Sequence, residues 1–213
     1  MDESHRLSTK LLHVAWMAIA LGLTLQFTTS IVAGLVGGAF PDAATWVRDA
    51  TQKISWSTFT CLGVALGTAA SKARAMWTGL AGLFAAPAAF ITARTVQKGV
   101  GAAVGANVAA MSAVAFWSVL ALKSGQYATF GALLAYAASR PWGGLWTHIG
   151  VGAASGLVFG LSALAIVTSS AAKPPPMGAV VGQAVNEVLF PVGCALVLYF
   201  ASKMSSVVKK VEG

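Results

Sequence analysis

Residues 11 to 38 contain no Asp, Glu, Lys or Arg. As a helix rising 1.5 Å per residue, that run is longer than the roughly 30 Å hydrocarbon core of a bilayer. Within lipid the backbone must satisfy its own hydrogen bonds, so only helices and closed barrels cross, and apolar runs of about 20 residues read as helices. Apolar runs between charges recur at about 11–38, 54–70, 76–93, 101–122, 125–139, 145–169 and 178–202. With 57% hydrophobic residues, 9% charged residues and a mean hydropathy of +0.75, the composition lies outside that of soluble domains. The expected fold is an all-α, polytopic integral membrane bundle, one transmembrane domain over 1–213. Leu11 to Leu25 imitates a signal peptide, but the apolar run continues to Phe40, which makes it the first span.

The net charge of +8 comes from bases that punctuate the ends of apolar segments. That placement suits snorkelling and topology, so the expected partner is the lipid bilayer and not nucleic acid. Cys61 and Cys194 fall inside apolar segments without metal-ligand spacing and read as packing residues.

Segments 54–70 and 125–139 are the two too short to span comfortably. Around them, "FTCLGVALGTAASKARAMWTG" (59–79) and "YATFGALLAYAASRPWGGLWTH" (127–148) share a pattern. In each, an aromatic (Phe59, Tyr127) leads to a glycine (Gly63, Gly131), then Ala-Ala-Ser and a base (Lys72, Arg140), then Trp-Thr (Trp77-Thr78, Trp146-Thr147). The offset predicts units of three spans, about 11–93 and 101–169, with a final helix at 178–202. An odd number of spans inverts the second unit, and inverted repeats with paired short segments are typical of transporters and channels. This three-plus-three-plus-one layout resembles that of the trimeric intracellular cation channels, although the Gly-Gly-Gly-x-x-Arg-Asp element of their prokaryotic members does not occur here.

The bases favour six spans instead. If 125–139 is re-entrant, nine bases fall on the side holding both termini and five on the other, a clear positive-inside signal. Seven and six spans are both kept as expectations.

Between the first two spans, residues 40–56 carry Ala43, Trp46, Val47, Ala50 and Ile54 at helical spacing behind Asp42, a good N-cap, and predict a short interfacial helix. Glycines at four-residue spacing (34–38, 63–67, 101–105, 152–160, 178–182) predict close helix packing.

One carboxylate stands out. Glu187 lies about ten residues into the last span, where an ionised carboxylate costs several kcal/mol unless it faces a partner or water. Pro191, lacking an N–H, leaves the Glu187 carbonyl without its helical donor, and Asn186 adds an amide. Those oxygens predict a midplane cation or proton site, with the helix kinked at Pro191; Pro87 predicts a second kink in the third segment. Hydroxyl and amide groups in the short segments, Ser57, Thr58, Thr60, Gln126 and Tyr127, are candidates for a polar path to that site. Hydroxyls in spanning helices also commonly bond their own backbone.

His13 and His148 suit a b-type haem only if they share a side; otherwise they are interfacial or hydrogen-bonded. No catalytic motif, paired carboxylates or mid-span lysine is read in the chain, so neither enzyme activity nor any cofactor is expected. The functional expectation is a channel or secondary transporter for a small solute, favouring a cation or proton coupling because the only midplane charge is acidic. The alternative is a non-catalytic assembly subunit of a larger membrane complex, which the glycine-rich faces suit equally. A homo-oligomer or membrane-complex partner is expected, and the Ala/Gly-rich composition and absence of a targeting segment point to a bacterial inner membrane.

Overall fold

The computed structural model describes residues 3–68, 74–106, 108 and 110–211, with side chains from 7 to 204 within those ranges. The chain is 87% helix, with no strand among the described residues. Among the described residues six helices follow one another: α1 (Glu3–Gly37), α2 (Ala43–Gly67), α3 (Arg74–Val104), α4 (Ala113–Ala138), α5 (Leu145–Ser169) and α6 (Met177–Val211). Of these, α1, α3, α5 and α6 are long and apolar enough to cross a membrane. Helices α2 and α4, at 25 and 26 residues, have the length, but their charged and amide side chains lower their hydropathy.

The expected seven segments become six for identifiable local reasons. Gly105 adopts φ +74°, and the Ala106 N–H bonds the Gly101 carbonyl at 2.8 Å, a Schellman motif that ends α3 where a fourth span was expected to begin. Ser112 then caps α4 by accepting from the Ala115 N–H at 3.2 Å. The expected segments 101–122 and 125–139 therefore give way to one helix that runs straight through Lys123. Likewise, Asp42 caps α2 through the Thr45 N–H at 2.7 Å, but the helix it starts continues to Gly67. The interfacial helix and the short second segment are one element. Neither short segment survives.

Neighbouring helices pack through glycines. A Cβ at Gly67 would lie 2.5 Å from Thr78 Cα, so α2 and α3 touch backbone to backbone, and Gly131 of α4 meets the same Thr78 from the other side. Gly63 meets Ala85 while Gly67 meets Thr78, which makes α2 and α3 antiparallel; Gly82 meets Tyr127 while Gly79 meets Ala132, which makes α3 and α4 antiparallel. It follows that α2 and α4 run the same way. The expected inversion between 54–70 and 125–139 is absent, and with it the layout that carried the resemblance to the trimeric cation channels. Ala69, Ala70, Ser71 and Lys72 of the matched pattern lie outside the described residues.

Helix α6 closes the bundle by packing against α1 (Gly182 on Thr29) and α5 (Gly152 on Val192). Pro87 and Pro191 lie inside α3 and α6, each of which continues past its proline. Exposed Trp77, Trp142 and Trp146 gather at the end where α3 and α5 begin, as interfacial anchors do.

Candidate functional site

Lys53 and Lys123 each stand ten residues in from the starts of α2 and α4, Glu187 ten residues in from the start of α6, and Arg94 ten before the end of α3. Those starts and that end share one end of the bundle, so four charged groups lie at a common depth of about 15 Å. All four line one cleft of about 270 Å³ between α2, α3, α4, α5 and α6. Gln97 and Met111, beside the α3–α4 connection, also line it, and Gln52, Gln183 and Asn186 add amides.

The centre of the cleft is an ion pair between the Lys123 ammonium and Glu187 Oε2, with the two residues only 6% and 8% exposed. Each partner has a second bond: Lys123 Nζ donates to Gln126 Oε1 at 3.1 Å, and Gln183 Nε2 donates to Glu187 Oε1 at 2.7 Å. Gln126 in turn donates to the Ser155 carbonyl and hydroxyl at 3.2 and 3.3 Å, tying the pair to α5. A buried pair held this way has its desolvation offset from both sides.

The backbone around Glu187 is shaped for this. Opposite it, α5 opens into a π-helical turn over Gly156–Gly160, and a Cβ at Gly156 or Gly160 would lie 2.7 or 2.8 Å from the Glu187 carbonyl oxygen. Pro191 cannot donate to that oxygen, so the carbonyl faces the two glycines instead. Extra residues of π-helix often mark functional positions in helices.

Beyond the charges, aromatic rings form the floor. Trp56 lies within 6.3 Å of Phe90, 6.0 Å of Phe190 and 5.8 Å of Tyr127, centroid to centroid, and the Lys123 ammonium stands 6.0 Å from its ring. Below this layer lies the buried core of the bundle, with Cys61 and Cys194, both free, touching at 3.1 Å. The residues that line the cleft all lie in the half of the bundle nearer the end where α2, α4 and α6 begin.

The candidate residues separate into three groups. Glu187, Asn186 and Gln126 belong to the site. Ser57 does not: its hydroxyl donates to the Ala18 carbonyl at 2.7 Å and fastens α2 to α1. The hydroxyls of Thr58, Thr60 and Tyr127 are buried and make no hydrogen bond among the described residues, and the Tyr127 ring packs against Trp56 in the aromatic floor. His13 and His148 each bond a carbonyl of their own helix, Thr9 at 2.8 Å and Gly144 at 2.9 Å.

Lys123 is the correction that matters most: a mid-span lysine exists and pairs with the mid-span acid. Lys53, Arg94, Trp56 and Gln183 were also unread. Glu187 is the only acid between Asp49 and Glu212, and pairing logic applied to it would have looked for a buried base.

These features define an all-helical bundle, four of its helices long and apolar enough to cross a membrane, with a cleft lined by charged and amide side chains. Against known proteins, the chain matches no family model, no curated protein and no solved structure.

Proposed function

We propose that this chain is a membrane transport protein, a channel or secondary transporter for a small solute, in which the Lys123–Glu187 pair couples passage to a proton. The observation that carries this is the placement of a buried ion pair within a polar cleft near one end of the bundle, with Trp56, Phe90 and Phe190 lining its deeper part. Protonating Glu187 removes its charge and leaves Lys123 with neutral acceptors only, the Glu187 carboxyl and Gln126 Oε1. The ammonium is then released to face a solute, and deprotonation restores the pair.

A cation as the solute, expected when the midplane charge was read as purely acidic, fits less well beside three bases. Proton coupling retains Glu187 as its centre. The matched stretches 59–79 and 127–148 are better described as parallel helical hairpins, α2–α3 and α4–α5, than as inverted units. The setting we infer is a lipid bilayer, with a bacterial inner membrane as host and a homo-oligomer as the working form.

The test is flux. Purified protein in liposomes holding a trapped pH dye should dissipate an imposed proton gradient faster than empty liposomes, and Glu187→Gln should slow it at least about tenfold while circular dichroism is unchanged. An assembly subunit predicts wild-type traces that match empty liposomes, and that result would remove the transport reading.

A further inference from the structure

Cys61 on α2 and Cys194 on α6 are the two cysteines of the chain, 133 residues apart in sequence. Both are free and fully buried, and their Sγ atoms touch at 3.1 Å. A buried residue touches about 6–12 others, so two given residues of a 213-residue chain meet by chance in roughly one case in twenty-five. Packing as small apolar groups does not require that the two thiols meet each other.

Their position ties them to the cleft. Trp56 stands five residues before Cys61 and Phe190 four before Cys194, so the thiols lie about one helical turn deeper than the aromatic floor. Helix α2 supplies Lys53 and Trp56 to one wall of the cleft, and α6 supplies Gln183, Glu187 and Phe190 to another. A bond between the sulfurs would fix the spacing of those walls from beneath. An S–S bond is about 2 Å long, so side-chain rotation has to close only about 1 Å. Among the described residues no third His, Cys, Asp or Glu joins the pair to make a metal centre. Ionising a thiol among apolar side chains is costly, so both protons have to leave with the electrons. An acceptor of two electrons and two protons that dissolves in lipid, a quinone, meets that requirement.

We propose that Cys61 and Cys194 are a redox pair, oxidised to a disulfide by a lipid-soluble quinone, which fastens α2 to α6 beneath the cleft. Two S–H bonds break and one S–S bond forms, while the quinone takes up two electrons and two protons and leaves as the quinol.

This inference goes beyond transport, and its test reads the bond without any flux. Protein in nanodiscs is exposed to decylubiquinone, whose substituted ring does not add thiols, then denatured and its free thiols counted with maleimide-polyethylene glycol. Reduced protein should carry two adducts and quinone-treated protein none, with dithiothreitol restoring both. The oxidised form should melt several degrees higher, because the cross-link constrains the unfolded chain. Cys194→Ser should keep its single adduct throughout; loss of that adduct to the quinone overturns the disulfide. Iodine, a small oxidant that enters lipid, checks the contact itself. Two adducts after both oxidants overturn the contact and the proposal with it, and two adducts after the quinone alone overturn the quinone as oxidant. Oxidation by water-soluble glutathione disulfide as fast as by the quinone overturns the lipid-side route. A covalent dimer on a non-reducing gel in place of a bridged monomer overturns the link between α2 and α6.

Discussion

Removing one partner of the Lys123–Glu187 pair should destabilise the bundle far more than removing both. Glu187→Leu leaves the Lys123 ammonium, 6% exposed, with Gln126 Oε1 as its remaining acceptor and Trp56 as its nearest π face. Stranding a buried charge in this way costs about 3–5 kcal/mol, whereas exchanging a buried pair for apolar residues of similar volume is often neutral. For a chain of this length, about 2–4 °C per kcal/mol gives a fall in melting temperature on the order of 10 °C. Unfolded membrane helices still find partners for their polar groups, which places the true value toward the lower end. Glu187→Gln keeps an acceptor and the shape, so its loss should be about half as large. The assay is a double-mutant cycle on thermal unfolding in detergent with Glu187→Leu, Lys123→Met and the double variant. The double should recover most of the stability lost by Glu187→Leu. If Glu187→Leu costs as much in the Lys123→Met background as in the wild type, the two side chains do not interact and the site built on them fails.

Gly160→Val places side-chain atoms against the Glu187 carbonyl and Cβ, so α5 and α6 must separate; the expected loss is about 1–3 kcal/mol by thermal melting, with Gly150→Ala, which meets nothing within 4 Å, as the neutral control. Asp42 has its carboxyl held below the usual carboxylate range by the Thr45 amide it caps. Its contribution is therefore present above the ordinary carboxylate pKa and lost as pH falls through the lowered value, and hydrogen exchange at the start of α2 should speed up in acid. Asp42→Asn keeps the cap and should remove that pH dependence; unchanged acid sensitivity in the variant would assign the effect to another group.

The helical bundle and the importance of Glu187 were legible because both follow from the bilayer as solvent: apolar runs cross, and a lone acid among them is expensive. The span count was not, since a charge was read as a span boundary. Lys123 broke the run at 113–138 on paper, yet in the fold it is satisfied inside by Glu187 and Gln126. The true boundary was written in weaker signs, Gly105 and Ser112, which ordinary turn and capping rules name. The paired pattern at 59–79 and 127–148 marked helices that pack on the two sides of α3, so the likeness of Gly63 and Gly131 reflects equivalent packing without inversion. Trp56, Lys53 and Arg94 converge only through the arrangement of α2 and α3 around the cleft, which no local pattern encodes.

Helices α2 and α4 are the two without a stretch apolar enough to cross a membrane, and each carries a lysine that its neighbours cover. Their charged faces turn toward a cleft screened by α3, α5 and α6, and the glycine contacts of α5 draw its backbone against Glu187. A bundle selected for stability alone has a simpler solution at these positions, because leucine and methionine fill such space without desolvating a charge. Holding one ion pair, two further bases and several amides at a common depth, on four helices, is costly as packing. The same arrangement suits the exchange of a proton that we propose for it. The buried ion pair, with an amide bonded to each of its partners, is what the proposed proton site asks of these residues and packing alone does not.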